Sequence, residues 1–205
     1  MTRIVAGSAK GRTLAVPKSG TRPTSERVRE ALFSRLDHMN VLEGATVLDL
    51  FAGTGALGLE ALSRGAARAT LVEKASAAAR VASANVRATG LPARVVTADV
   101  RAYLGARSGE ALTGENDLVF IDPPYDIPEG DMTTVLSALA PWVGPDSLIV
   151  VERSTRAPAP TWPPFLVLED TRAWGETVAY FAGPPLPKDE ESSDAAERAA
   201  ASPVR

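Results

Sequence analysis

The sequence contains no cysteine and a single histidine, His38, among its 205 residues. Disulfides, thiolate nucleophiles and zinc–thiolate sites are therefore excluded, and we predict no metal centre. No apolar run approaches the roughly 18 residues of a membrane span, and the start, "MTRIVAGSAKGR", lacks the apolar segment of a signal peptide. These absences predict a cytoplasmic protein with no membrane partner.

Negative charge slightly exceeds positive charge overall, but positive charge is in excess at one end of the chain. The formal net charge is −3, yet residues 1–40 carry eight lysines and arginines against only three acidic residues. A basic N-terminal arm on an acidic body is either a contact surface for nucleic-acid phosphates or an ordinary solvated face. The charge alone does not decide between these two interpretations.

Five apolar stretches beyond residue 44 are typical of buried strands: "TVLDLF", "ATLVE", "ARVVTAD", "DLVFID" and "SLIVVE". Helical stretches separate them, and two of these helices are predicted to end at Gly65 and Gly90. This alternation predicts a doubly wound α/β fold with a mostly parallel sheet covered on both faces. The last two stretches, "FLVLEDTRAW" and "ETVAYFA", are separated only by Gly175, which predicts a hairpin and one antiparallel edge strand.

Residues 1–44 are called here the N-terminal arm. Their sequence pattern predicts a hairpin followed by a helix. "RIVA" and "RTLAV" flank a turn rich in small residues, and a helix is predicted from an N-cap at Thr24 to about Asp37. Its apolar face contains Val28, Ala31, Leu32 and Leu36. Its arginines lie off that face, available to solvent or a ligand: Arg27, Arg29 and Arg35.

Two further parts follow the arm. The α/β domain is predicted over residues 45–183. Residues 184–205 are rich in proline, alanine and charge with almost nothing to bury, so we predict a disordered tail.

A glycine-rich loop, "DLFAGTGALGLE", follows the first strand of the sheet and opens a helix. Gly53, Gly55 and Gly58 match G-x-G-x-x-G, and Glu73 ends the next strand, as in a dinucleotide-binding site. Glycines allow a ligand close to the backbone, the helix N-terminus offers free N–H groups, and the acid can bind a ribose diol. Any adenosine-containing cofactor could use this arrangement, so the loop does not choose the cofactor.

Acidic residues stand at or near the carboxyl ends of four predicted parallel strands: Asp49, Glu73, Asp99 and Asp122. Sheets of this kind bind ligands at that edge. Asp99 could accept from an adenine amino group, or it could simply cap the following helix. Four acids in corresponding positions favour a ligand site.

The stretch "FIDPPYD" ends the fourth strand abruptly, because proline donates no backbone hydrogen bond and restricts φ. Together with the glycine loop, this motif resembles the class I S-adenosylmethionine-dependent amino-methyltransferases. These enzymes share an F-x-G-x-G loop, here Phe51 to Gly55, and a D-P-P-Y motif, here Asp122 to Tyr125. The resemblance implies a seven-stranded Rossmann-like catalytic domain over residues 45–183 and S-adenosyl-L-methionine as the cofactor.

The chemistry of such enzymes accounts for the residue types of this motif. The lone pair of a nucleobase amine is conjugated with the ring, which makes the amine a poor nucleophile. Asp122 and the carbonyl of Pro123 can accept both amine hydrogens and turn the lone pair toward the methyl group. Tyr125 offers a stacking face for a base taken out of its stack. Methylation at a pyrimidine C5 through a cysteine nucleophile is excluded by composition.

The sequence of the arm resembles one family within this class of methyltransferases. "RIVAGSAKGRTLAVP" and "TRPTSERVREALFSRL" resemble the start of the RsmD family, bacterial methyltransferases of a guanine N2 in 16S ribosomal RNA, and the similarity extends over residues 2–183. It implies a target-amine site at Asp122, Pro123, Pro124 and Tyr125. It implies a cofactor site at Arg22, Thr24, Arg27, Asp49, Phe51, Gly53, Thr54, Gly55, Glu73, Lys74, Asp99 and Val100. Lys10, Arg12 and Arg29 are the predicted RNA-binding residues.

Two other functions fit part of the pattern. A DNA adenine-N6 or cytosine-N4 amino-methyltransferase shares both motifs but usually carries a separate target-recognition region, for which this chain has no room. An NAD-dependent oxidoreductase shares the glycine loop but leaves the Asp122 motif and the basic arm unexplained. We therefore expect a monomeric enzyme that acts on 16S rRNA or the 30S subunit, with DNA as the alternative substrate. The sequence does not choose the target nucleotide.

Overall fold

The computed structural model describes residues 2–16, 26–106 and 114–185, and these contain nine strands and five α-helices. The strands are β1 (Thr2–Arg3), β2 (Thr13–Leu14), β3 (Thr46–Leu50), β4 (Arg68–Glu73), β5 (Ala93–Thr97), β6 (Asn116–Ile121), β7 (Val143–Ser154), β8 (Val167–Trp174) and β9 (Thr177–Gly183). The helices are α1 (Glu26–His38), α2 (Ala56–Ser63), α3 (Ser76–Thr89), α4 (Val100–Gly105) and α5 (Glu129–Ser137), with a 3₁₀ turn at Ala140–Trp142. The predicted N-cap at Thr24 and residues 186–205 of the predicted tail lie outside the described residues.

Seven strands form one sheet in the order β5-β4-β3-β6-β7-β9-β8. Strands β3 to β7 pair in parallel, whereas β9 runs antiparallel to both of its neighbours. The predicted fold class and the antiparallel edge of the sheet are thus confirmed, and β8 is the outermost strand. The strand order reverses between β3 and β6, and this is where sheets of this type bind ligands.

Helices cover both faces of the sheet because successive residues of its central strands point to opposite sides. In β6, Leu118 and Phe120 pack with α1 and α2, while Val119 and Ile121 pack with α4 and α5. The central strand β6 is therefore apolar from Leu118 to Ile121, as expected for a strand buried on both faces.

The buried face of α1 differs from the predicted one. It contains Arg29, Leu32, Phe33 and Leu36, whereas Val28 is only half-buried. The Arg29 side chain was expected to be available to solvent or a ligand. The expected availability to solvent is wrong, because only 1% of the side chain is exposed, whereas its contact with RNA stays a prediction. A long-range ion pair with Glu60 holds it inside the fold.

The guanidinium of Arg29 lies 3.6 Å from the carboxylate of Glu60, a fully buried residue of α2. Its Nη2 also donates to the carbonyl of Arg3 in β1. Burial lowers the pKa of Arg29, and Glu60 opposes that effect. Hydrophobic periodicity places a charged residue outside, so it cannot detect an arginine whose partner comes from another helix.

Among the described residues, no helix combines the length and the hydropathy that crossing a bilayer would require. The same residues contain no group of three or more His, Cys, Asp or Glu side chains arranged to hold a metal ion.

Candidate active site

A cleft of about 1350 Å³ opens at the carboxyl ends of the parallel strands. It exceeds the roughly 300–1,000 Å³ of common small-molecule pockets, so it has room for a cofactor together with a second reactant. Most of the predicted site residues line it: Arg29, Asp49, Phe51, Gly53, Thr54, Glu73, Lys74, Asp99, Val100, Asp122, Pro123, Pro124 and Tyr125.

The glycine loop between β3 and α2 contains three residues in the left-handed backbone conformation, which residues other than glycine rarely adopt. Phe51, Gly53 and Gly55 have φ values of 61°, 55° and 79°, all in the left-handed region. A bulky residue in that region is uncommon, so Phe51 marks local strain at the site. Gly58 has a packing role: a Cβ there would lie 2.3 Å from Leu71 Cδ2. The loop therefore needs its glycines for both curvature and close packing.

Glu73 binds the glycine loop directly. Its Oε2 accepts from the Gly53 N–H at 2.9 Å, and its Oε1 accepts from the Ala75 N–H at 2.6 Å. Each carboxylate oxygen has a second lone pair, so these contacts leave acceptor capacity for a ribose hydroxyl. The residues present thus fit an adenosine-containing cofactor.

Asp99 caps α4, as one of the two interpretations expected. Its Oδ1 accepts from the Arg101 N–H at 3.0 Å, and its Oδ2 lies 3.0 Å from Lys74 Nζ. The hydrogen bond from Lys74 is the main reason why the pKa of Asp99 is lowered. Contact of Asp99 or Val100 with an adenine stays a prediction.

Asp49 is the buried acid of the cleft, with 1% exposure. Its Oδ2 accepts from the Gly58 N–H at 2.9 Å. The pKa of Asp49 is raised to about 7, mainly by burial and in addition by the negative charges of Asp122 and Glu73, while the Gly58 hydrogen bond opposes the rise.

The D-P-P-Y motif leaves β6 and forms one wall of the cleft. Asp122 is half-buried, Pro123 is buried, and Tyr125 is 66% exposed. The Pro124 carbonyl closes the turn by accepting from the Ile127 N–H at 3.1 Å. The Pro123 carbonyl receives no hydrogen bond from the described residues, so it can accept one from a substrate. The motif thus presents two acceptors and an aromatic face at the end of one strand.

Not every predicted residue joins the cleft. Lys10 and Arg12 are exposed on the arm, where Arg12 Nη1 donates to the Ala88 carbonyl at 2.9 Å. Arg27 is exposed outside the cleft lining. Arg22 and Thr24 lie outside the described residues.

Sequence reasoning missed one side of the cleft. Glu152 and Arg153 at the end of β7 line it, and Arg153 Nη2 lies 3.2 Å from Glu129 Oε2. The turn between β8 and β9 also contributes, through Trp174 and Thr177. The rule that located the four acids at strand ends would have found Glu152, since "SLIVVE" ends in it.

The reversed strand order, the left-handed glycine loop and the acids at the strand ends define a Rossmann-like protein that binds an adenosine-containing cofactor. Residues 2–183 match the family model described as Conserved hypothetical protein 95, and the chain belongs to this family. This match, together with relatives named as ribosomal RNA small subunit methyltransferase D, confirms the resemblance to the RsmD family. The protein is an S-adenosylmethionine-dependent methyltransferase.

Three relatives support this assignment. The chain is 40% identical over 180 residues to the ribosomal RNA small subunit methyltransferase D of Escherichia coli K12, covering 87% of either chain. It is 33% identical over 185 residues to the putative rRNA methyltransferase YlbH of Bacillus subtilis, covering 87% of this chain and 97% of that one. The structure of the putative methyltransferase yhhF from Escherichia coli superposes with a TM-score of 0.77 at 34% identity, covering 90% of this chain and 98% of the other. These relatives do not favour a DNA methyltransferase or an NAD-dependent oxidoreductase.

Proposed function

We propose that the protein transfers a methyl group from S-adenosylmethionine to the exocyclic N2 of a guanine in 16S rRNA, within an assembled or assembling 30S particle. The observation that carries the proposal is the D-P-P-Y motif, which lines the same cleft as the left-handed glycine loop. The names of the Escherichia coli and Bacillus subtilis relatives support ribosomal RNA as the substrate class.

The residues of the cleft divide the work between two ligands. Gly53, Thr54 and Gly55 would hold the cofactor along the loop, with Glu73 at the ribose and Asp99 at the adenine. The cofactor supplies an electrophilic methyl group on a sulfonium. The far wall, from Asp122 to Tyr125, would hold the target base.

Asp122 and the Pro123 carbonyl would accept the two hydrogens of the guanine amine. That geometry points the nitrogen lone pair away from both acceptors and toward the methyl group. As the amine took the methyl group from the sulfonium, it would gain positive charge, which a preset acceptor stabilises by about 3 kcal/mol. It would then release one of its hydrogens as a proton on the side of these acceptors. The exposed ring of Tyr125 would stack on the base, which is worth on the order of 1–3 kcal/mol. Both prolines keep the motif rigid, so little reorganisation accompanies the reaction.

The elements of the described residues favour a prefolded RNA. The sheet and its helices make up the described part of the domain over residues 45–183, and the described part of the arm is a short hairpin and α1. These elements include no separate base-reading domain, so specificity would come from the shape of the substrate, as is common for structured RNA. We also propose that the enzyme is a cytoplasmic monomer, which light scattering coupled to size-exclusion chromatography would test for the oligomeric state.

The test is transfer of tritiated methyl groups to 16S rRNA, to partly assembled small subunits and to duplex DNA, followed by nucleoside analysis. We expect label in N2-methylguanosine from an RNA or ribosomal substrate. Label in N6-methyladenine or N4-methylcytosine of DNA would refute the proposal.

A variant links the reaction to the proposed wall. Asp122→Ala should reduce the transfer rate by at least about 100-fold, because one preset acceptor is worth about 3 kcal/mol. Its affinity for S-adenosylhomocysteine should change little. Asp146→Asn, an exposed acid at the start of β7, is the matched control and should retain full activity. Substantial turnover by Asp122→Ala would mean that another group holds the amine.

A further inference from the structure

The hairpin region of the N-terminal arm, residues 2–16, is hydrogen-bonded to side chains of the catalytic domain at two buried places. The first is on α2, where the carboxylate of Glu60 accepts from the Val5 and Ala6 N–H groups at 2.7 and 3.0 Å. Ser63 adds to it, since its Oγ accepts from the Ala9 N–H at 2.9 Å and donates to the Ala6 carbonyl. These contacts hold the arm but do not involve the glycine loop.

The second place is Asn85 on α3, and its side chain is only 2% exposed. Its Oδ1 accepts from the Ala15 N–H at 2.8 Å, and its Nδ2 donates to the Ala15 carbonyl at 3.1 Å. The same Nδ2 donates its other hydrogen to the Thr54 carbonyl at 3.0 Å. The amide orientation is determined by its neighbours, because a flipped amide would direct an oxygen at two carbonyls.

Thr54 belongs to the glycine loop and lines the cleft. The peptide between Thr54 and Gly55 is held at both ends, since Asn85 binds its carbonyl and its N–H donates to the Ala52 carbonyl at 2.7 Å. Gly55 has φ 79°, and a peptide next to glycine rotates at low cost when nothing holds it. The buried amide of Asn85 thus hydrogen-bonds both to Ala15, at the end of the arm's hairpin, and to the Thr54–Gly55 peptide of the cofactor loop.

We propose that Asn85 is a positioning residue that couples docking of the arm to the shape of the cofactor loop. The proposal rests on the proposed function only in taking this loop as the cofactor site. Without Asn85 the Thr54–Gly55 peptide samples other orientations, and the cofactor must select the competent one. The apparent affinity then falls by the fraction of molecules that are competent.

The variants separate coupling from simple anchoring. Asn85→Ala removes two hydrogen bonds to the arm and one to the loop, while Ser63→Ala removes two bonds to the arm and none to the loop. Asn85→Asp keeps the size of the side chain and the acceptor for the Ala15 N–H, but it loses the donor to the Thr54 carbonyl and the donor to the Ala15 carbonyl. It carries the same test if the alanine variant fails to fold.

The measurements are the dissociation constant of S-adenosylhomocysteine by calorimetry, the melting temperature, and kcat and KM for S-adenosylmethionine. We expect both Asn85 variants to raise the dissociation constant and KM about three- to tenfold, as the loss of one hydrogen bond implies, with kcat changed less than about twofold. Asn85→Ala and Ser63→Ala should lower the melting temperature by similar amounts, since each removes two hydrogen bonds to the arm. Ser63→Ala should leave the dissociation constant of S-adenosylhomocysteine unchanged.

Equal dissociation constants for wild type, Asn85→Ala and Asn85→Asp would overturn the proposal, as would an equal loss of affinity in Ser63→Ala. Methyl transfer to ribosomal RNA by the wild-type protein, measured in the same preparations, tests the proposed function separately.

Discussion

Replacement of Asp49 by asparagine should change how the stability of the protein depends on pH. Asp49 is buried, and its pKa rises from an ordinary 3.8 to about 7, first because of burial and then because of Asp122 and Glu73. Between these two pH values the folded protein keeps a proton on Asp49 that the unfolded chain has lost. Wild-type stability therefore falls as the pH rises through this window.

The size of the effect follows from the same two values. A difference of one in pKa corresponds to about 1.4 kcal/mol, so the rise from 3.8 to about 7 costs the folded state roughly 4 kcal/mol above pH 7. About 3 kcal/mol of this cost develops between pH 5 and pH 8. Asparagine has nearly the same shape, its oxygen can accept from the Gly58 N–H, and it does not ionise.

The assay is urea denaturation of wild type and Asp49→Asn from pH 5 to pH 8, without cofactor, because a ligand would shift the apparent stability. The variant should gain about 3 kcal/mol relative to wild type across this range. Asp146→Asn, which changes an exposed acid, should follow the wild-type curve. Parallel curves for wild type and Asp49→Asn would show that Asp49 has an ordinary pKa, and the reasoning would be refuted.

Three further predictions concern packing, stacking and RNA contact. Gly58→Ala places a methyl group 2.3 Å from a buried leucine of β4 and should cost about 1–3 kcal/mol in unfolding free energy, whereas Gly130→Ala has open space and should not. Tyr125→Ala should lower kcat/KM for the RNA substrate by an amount equivalent to on the order of 1–3 kcal/mol, because it removes the stacking ring. Tyr125→Phe keeps the ring and should keep the wild-type kcat/KM. An equal loss in both variants would argue against stacking. Neutralising Lys10 and Arg12 together should weaken RNA binding and flatten its salt dependence by about two phosphate contacts, and an unchanged slope would remove the arm from the RNA interface.

The elements of the main sheet could be predicted from the sequence because their signals are local. The strand "TVLDLF" and the helix ended by Gly90 were located to within a few residues, and Gly90 does have the left-handed φ of a helix end. The hairpin around Gly175 was located as well. In each case the composition of one short stretch suffices, since burial on both faces or a left-handed turn demands particular residue types.

The partners of buried polar groups could not be predicted in this way. Arg29 was expected at the surface, yet it is buried against Glu60. Glu73 was expected to face a ligand, and it also shapes the loop through the Gly53 N–H. No local pattern contains these pairs, because each partner comes from a different element of the fold.

The sequence by itself determined the α/β class, the glycine loop and the D-P-P-Y motif. Runs of apolar residues, glycines and prolines each constrain the backbone locally, so their effect can be predicted from one short stretch. Tertiary structure alone decided which side chains meet. It brought Asn85 against Ala15, 70 residues away, and against Thr54, 31 residues away. It also buries Asp49, and that burial is the main reason why the pKa of Asp49 is raised to about 7. Burial and long-range hydrogen bonding depend on the packing of whole elements, and that packing turns a loop and a strand end into one site.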